Sequence, residues 1–290
     1  MLKLLHCFHD ERLLFYVMPL VQGTTVGALM AGQPFKFIPE PWAKHYTLQT
    51  ISALRYLHCK GIVHRNIYPD SMLVHSDGWL VLGGTMLMRQ PRKDARLWTV
   101  CGVPDYLAPE TIQGFGQSRM TDMWSLGILI HEMMTSKVPF DGEDPLDAMR
   151  RILLNESEII VQGNAVDLVT KLLHPKPSDR LGFSGGRSPA SVRDAFAQVR
   201  LSPFRTRPAE ETAQPLRLQC LRQVTAHEWF SGMNVEEVLA GEGETPHSPH
   251  SWHLDQMLEQ TVEDPPWSMR SKFLSDHILT PEEQGFFEDF

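Results

Sequence analysis

Two stretches decide the reading of this chain: 57-LHCKGIVHRNIYPDSMLVHSDGWLVLGGTMLM-88 and, ten residues on, 98-WTVCGVPDYLAPE-110. As pattern they give a helix end, a tight loop, two short apolar strands, a linking segment and a turn bounded by Pro104 and Pro109. Upstream, a helical pattern runs from Pro39 to Cys59 with Ala43, Tyr46, Ile51, Leu54 and Leu57 on one face, and Gly61 stops it. Downstream, 122–136 is apolar nearly all round (Met123, Trp124, Leu126, Ile128, Leu129, Ile130, Met133), the mark of a buried central helix. Amphipathic helices are expected at about 145–155 and 164–174, ended by Pro175 and Pro177. Runs 2–8 and 13–20, split by the charged turn 9–12, read as a β-hairpin.

At 290 residues the chain can bury one large core, in one domain or two lobes. A net charge of −8 gives no basic footprint for nucleic acid or anionic membrane. Cys7, Cys59, Cys101 and Cys220 are far apart and form no CxxC pair, which suits reduced thiols in a cytoplasmic setting. The opening MLKLLHCFHDERLLFYVM is no signal peptide, because His6, His9, Asp10, Glu11 and Arg12 interrupt any apolar core. Nor is 13–21, nine residues with Pro19 among them, long enough to enter a bilayer as a span.

The quoted motifs resemble the catalytic and activation segments of the eukaryotic protein kinases, most closely the cyclic-nucleotide-dependent Ser/Thr kinases of the AGC group. The resemblance covers 1–186, resumes at 221–231 and reappears at the C-terminal end of the sequence. It implies an α+β, protein-kinase-like fold, mainly the helical large lobe. Three parts are expected: 1–21, the last two strands of the small lobe with the hinge Met18–Val21; 22–231, the large lobe with an insertion at about 187–220; and 232–290, a tail. The family's Gly-rich loop, its phosphate-holding Lys and that Lys's Glu partner have no counterpart in the sequence. Residues 187–220, rich in Arg, Pro, Ser and Ala, read as a partly ordered surface loop.

Where the family has H-R-D-L-K-P-E-N, this chain has His64-Arg65-Asn66-Ile67-Tyr68-Pro69-Asp70-Ser71; where the family has D-F-G, it has Gly84-Thr85-Met86. Asn66 takes the place of the carboxylate that accepts the substrate hydroxyl's proton, a role worth ~10²–10⁴ in rate, and an amide cannot perform it. Gly84 and Ser71 replace magnesium ligands, Tyr68 replaces a Lys that steadies the transferring phosphate, and Val103 removes a hydroxyl that bonds that Lys. These replacements touch base, metal and phosphate together. They imply a catalytically impaired relative, a pseudokinase that serves as a binding or allosteric module for another signalling protein, such as a kinase, a regulatory subunit or a substrate-like partner. An active Ser/Thr kinase transferring phosphate from ATP, and a fragment without function of its own, stay open as alternatives.

The family's structural residues are kept. Gly102, Pro104, Tyr106, Ala108, Pro109 and Glu110 match the anchor of the activation segment, and Asp122, Trp124 and Gly127 match the start of the central helix. Arg180 matches the residue that pairs with Glu110, so a partly buried ion pair is expected. Thr99 lies at the activation-loop phosphorylation position and Arg65 at the residue that would meet the phosphate; the plainer alternative has Arg65 bonding loop carbonyls. Glu132 matches an acid that reads a basic substrate side chain, or else is a solvated helix-end Glu. Met18, Leu20 and Leu73 would line an adenine site, holding ATP without Mg²⁺, or simply pack in the core. His247, His250 and His253 are separated by prolines and read as a solvated loop rather than a metal site. No metal site, nucleic-acid contact or membrane insertion is expected. Phe287 and Phe290 match the terminal F-x-x-F that in the family folds into a small-lobe pocket; here the dock is either encoded upstream of this sequence, supplied by a partner, or lost.

Overall fold

The computed structural model describes residues 4–91, 97–183 and 221–246. The insertion at 187–220, the three-histidine run and Phe287 and Phe290 lie outside the described residues.

Helix α4 (Arg119–Thr135) is the axis of the fold. Ser118 caps its start by accepting from the Met120 N–H, and Ser136 ends it in a left-handed conformation (φ 63°). The helix starts three residues before the sequence reading placed it, because the cap signal is Ser118 and not Asp122. Its residues from Met120 to His131 are buried without a break, as the all-round apolar pattern requires. Helix α2 (Glu40–Cys59) packs along it with Ala43, Tyr46, Ile51, Leu54 and Leu57 buried. On the other side α6 (Asn164–Leu172) comes close at Gly127, where a Cβ would stand 2.9 Å from Leu172 Cβ and from Leu173 Cδ2. Only a residue without a side chain admits that approach. Helix α5 (Pro145–Leu154), capped by Asp144, and the short α3 (Pro109–Ile112) pack together beside this core, and Phe140 stacks on Trp124 at 5.4 Å.

Two small antiparallel sheets complete the fold. Strands β1 (His6–His9) and β2 (Leu14–Val17) form the expected hairpin, with Phe8 opposite Phe15 and the two rings stacked at 4.9 Å. A second sheet has the order β3-β4-β5: β3 (Gly23–Thr25), β4 (Met72–His75) and β5 (Leu80–Leu82). The sequence reading missed β3 and the helix that follows it, α1 (Val26–Gly32). Its signal was there: Thr25 caps α1 through a bond from the Ala28 N–H, and Val26, Leu29 and Met30 are the buried face. Nor did the sequence reading place the helix within 232–246, α7 (Val235–Ala240), capped by Asn234 and seated on α2. Ser52 donates to Leu239 O (3.2 Å), and Thr245 donates to Asp77 O (2.7 Å).

The Glu110–Arg180 pair forms as a two-pronged contact, Nη1–Oε1 2.8 Å and Nη2–Oε2 2.9 Å. It is fully rather than partly buried, with residue exposures of 4% and 1%. The reason is its place at the start of α4, where Arg180 also donates to Met120 O and His174 O and lies 5.1 Å over the Trp124 ring. Removing one partner there strands a charge away from water. Arg180→Ala is therefore expected to cost ~3–5 kcal/mol in chemical denaturation, whereas loss under 1 kcal/mol would show the pair to be screened.

Buried histidines set a second expectation. His45 is held neutral by burial, which pushes its pKa down to about 4, and burial lowers His64 and His131 as well. In the unfolded chain each takes up a proton near pH 6.5, so the unfolded state binds more protons and stability must fall as pH drops from about 6.5 toward 4. Thermal midpoints read from pH 7.5 to 5 should decline, and His45→Gln should flatten that slope; an unchanged slope in the variant would remove His45 from the account.

Candidate functional site

The loop from Gly61 to Ser71 is built around Asp122. From the first turn of α4 its Oδ2 accepts from His58 Nε2 (2.7 Å) and from the His64 N–H (2.9 Å), and its Oδ1 accepts from the Arg65 N–H (2.8 Å). Burial raises the pKa of Asp122, but the bond from His58 Nε2, the neighbouring imidazoles and the Arg65 N–H outweigh it, and the net shift is downward. The clamp fixes Arg65 in a left-handed conformation (φ 67°), which turns the next residue, Asn66, toward Gly84. His64 donates from Nε2 to Gly83 O (2.9 Å) and accepts the Asn66 N–H at Nδ1 (3.2 Å), which defines its neutral tautomer. Gly83 N–H in turn donates to Ser71 O (2.8 Å). Asn66, Ser71 and Gly84 are thereby brought together, as the sequence implied.

Their chemistry is not that of a metal centre. Gly84 is left-handed (φ 64°), and a Cβ on it would lie 2.9 Å from both Asn66 Nδ2 and Ser71 Cβ. The amide of Asn66 and the wall at Ser71 thus occupy the ground a longer side chain would need. Ser71 Oγ is already committed, donating to Tyr68 O (2.8 Å) and accepting the Tyr68 N–H (3.2 Å). Magnesium needs hard, mainly carboxylate oxygens in octahedral array, and an amide, a committed hydroxyl and a glycine do not fit it. Tyr68 turns its ring edge-on to Tyr106 with centroids 6.4 Å apart. The carboxylate nearest in sequence, Asp70, faces elsewhere: it accepts from Thr25 Oγ1 (2.9 Å) beside Gly27 of α1.

Other expected residues fall out as follows. Arg65 donates from Nε to Leu87 O (2.7 Å) and from Nη1 to Gln117 Oε1 (3.2 Å), which is the plainer of its two readings; Thr99 is exposed, two residues past the Leu97–Gln117 bridge. Glu132 is half-buried: the Tyr106 hydroxyl donates to its carboxylate, and burial raises its pKa. Burial first, and the charge of Asp141 second, raise the pKa of Asp105. Met18 and Leu20 of the expected adenine site are exposed, Leu20 by 85%, whereas Leu73 is half-buried against Gly83. Val103 lines a cavity of about 10 Å³ under Asn66, room for about one water. Sequence reasoning missed Gln117 as the partner of Arg65 and His58 as a partner of Asp122. Both lie more than 50 residues away along the chain and carry no local signal.

The sequence model of the protein kinase domain matches residues 1–188. Among curated proteins, the chain is 29% identical over 247 residues to the cAMP-dependent protein kinase catalytic subunit of Arthrobotrys oligospora, covering 83% of this chain and 40% of that protein. It is 30% identical over 188 residues to cGMP-dependent protein kinase, isozyme 2 forms cD5/T2, of Drosophila melanogaster (63% and 20%). It is 34% identical over 190 residues to the human cAMP-dependent protein kinase catalytic subunit PRKX (63% and 50%). The chain thus spans half or less of the length of these relatives.

Because the space at Gly84 is taken, Gly84→Asp should lower stability by roughly 1–3 kcal/mol, the scale of a displaced packed neighbour. Denaturant melts check it; an equal or higher midpoint would show that Asn66 and Ser71 yield freely.

Proposed function

This chain belongs to the protein kinase family, and we propose that it serves there as a catalytically impaired member, a pseudokinase that acts as a binding or allosteric module for another signalling protein. The observation that carries this reading is the set of groups meeting at Gly84. Where phosphoryl transfer needs an anionic base and magnesium carboxylates, the chain supplies the Asn66 amide and a glycine hemmed in by Asn66 and Ser71. The frame that would hold such groups, Asp122 on His64 and Arg65 and Glu110 on Arg180, is intact. A shape maintained without its reactive groups is suited to binding.

Any ATP taken at Met18, Leu20 and Leu73 is, on this reading, held without Mg²⁺. A partner would meet the acidic face formed by Asp70, Asp105 and Asp141 around Tyr106 and Glu132, which favours a basic segment. The free thiols of Cys7, Cys59 and Cys101 fit a cytoplasmic location, and no described helix is long and apolar enough to cross a membrane. The intact frame favours one rival reading, an active Ser/Thr kinase.

Phosphotransfer from labelled ATP with Mg²⁺ or Mn²⁺ to a basic Ser-containing peptide separates the two. The expected result is transfer no greater than that of heat-inactivated protein. Transfer that disappears in Ser71→Ala or Asp70→Asn would establish an active kinase and sink the pseudokinase reading.

A further inference from the structure

Every hydroxyl–proline dipeptide in this chain lies at or beyond residue 188: Ser188-Pro189, Ser202-Pro203, Thr245-Pro246, Ser248-Pro249 and Thr280-Pro281. Of these, Thr245-Pro246 falls among the described residues, and its hydroxyl has a defined task. Thr245 Oγ1 donates to Asp77 O (2.7 Å) in the turn between β4 and β5, across 168 residues of chain. The segment so fastened, 241–246, follows α7 and is exposed apart from the half-buried Thr245. Gly241 and Gly243 are left-handed there (φ 77° and 88°), so the chain turns twice with no side chain to stiffen it. Between α7, α2 and the same turn lies a cleft of about 550 Å³, with Ser52, Tyr56, Trp79, Leu80 and Val238 on its walls.

We propose that Thr245 is a phosphorylation site for a separate, proline-directed Ser/Thr kinase, and that its phosphate frees 241–246 from the β4–β5 turn and loosens α7. The exposed flanks admit an active site, and Pro246 keeps Thr245 extended, the form in which a hydroxyl can be presented. In the transfer, Thr245 Oγ1 bonds to the γ-phosphorus of ATP as the bond from that phosphorus to the β–γ bridging oxygen breaks. The hydroxyl proton passes to the modifying kinase's carboxylate base, and ADP leaves. The product has no hydrogen on Oγ1, so the bond to Asp77 O is lost outright. It also places a charge of about −1.5 to −2 on the residue fastened to Asp77, whose own carboxylate is already drawn to His75 Nδ1 (2.9 Å). Glu242 and Glu244 add like charges in the same segment, and like charges disfavour the fastened state. Six residues are too few for α7 to hold itself as a helix. Its apolar seat on α2 and the Ser52–Leu239 bond are what remain to hold it, and the cleft beside Trp79 opens. None of this depends on whether the chain itself transfers phosphate.

The test incubates the full chain with ATP, Mg²⁺ and a purified proline-directed Ser/Thr kinase, and maps the modified residues by mass spectrometry. Phosphate is expected on Thr245, including in Ser248→Ala, which removes the neighbouring acceptor. Pro246→Ala should abolish it there, with an unchanged thermal midpoint because Pro246 is exposed. Hydrogen exchange then compares modified and unmodified protein. Amides of 235–246 should exchange ~5–10-fold faster with the phosphate in place, the scale of one lost hydrogen bond with added repulsion, while those of α4 stay as they were. Thr245→Val loses the bond without gaining charge and should quicken exchange by less. Phosphate absent from Thr245, phosphate retained in Pro246→Ala, or exchange in the modified protein no faster than in Thr245→Val would overturn the proposal.

Discussion

Everything at the site depends on one buried carboxylate. Asp122 gathers three donors, one side chain and two backbone N–H groups, onto two oxygens inside the protein, and its charge is tolerated only because all three are present. That clamp ties the first turn of α4 to the loop at His64 and Arg65. It also holds Arg65 in a left-handed backbone conformation that is uncommon for a non-glycine residue. From there the geometry propagates by short steps: His64 to Gly83, Gly83 to Ser71, and Asn66 into the space beside Gly84.

The contrast between this frame and what it carries is the main feature of the molecule. A buried ion pair and a buried carboxylate are costly to assemble and more costly to break one-sidedly, so residues such as Glu110, Arg180 and Asp122 are constrained by folding alone. Asn66 and Gly84 have become complementary to each other: the amide sits where a side chain on residue 84 would begin.

At the periphery the same economy recurs with backbone and apolar contacts. Helix α7 is only six residues long and owes its order to its seat on α2 and to bonds such as Ser52 to Leu239. The β1–β2 hairpin rests on its own ladder and the Phe8–Phe15 stack, with Leu4, Leu5 and Leu20 exposed around it. A two-stranded ribbon of that kind is marginal alone in water, and it contrasts with the helical lobe, where α4 is buried on every side.

Residue periodicity by itself determined the helices α2, α4, α5 and α6, because an apolar face or an all-apolar helix has only one way to leave water. The resemblance to the kinase family implied that Asn66, Ser71 and Gly84 share a site and that Glu110 meets Arg180. Short elements escaped: β3, α1 and α7 span three to seven residues, too few for a period to rise above chance, although Thr25 and Asn234 marked the caps. Only the tertiary structure decided which side chains neutralise one another. Nothing near Arg65 in sequence names Gln117, nothing near Asp122 names His58, and nothing near Glu132 says that the Tyr106 hydroxyl would donate to it. Those pairings follow from where whole helices come to rest, and a helix is positioned by the sum of its buried surface, so no local stretch of residues encodes the partner of any one polar group.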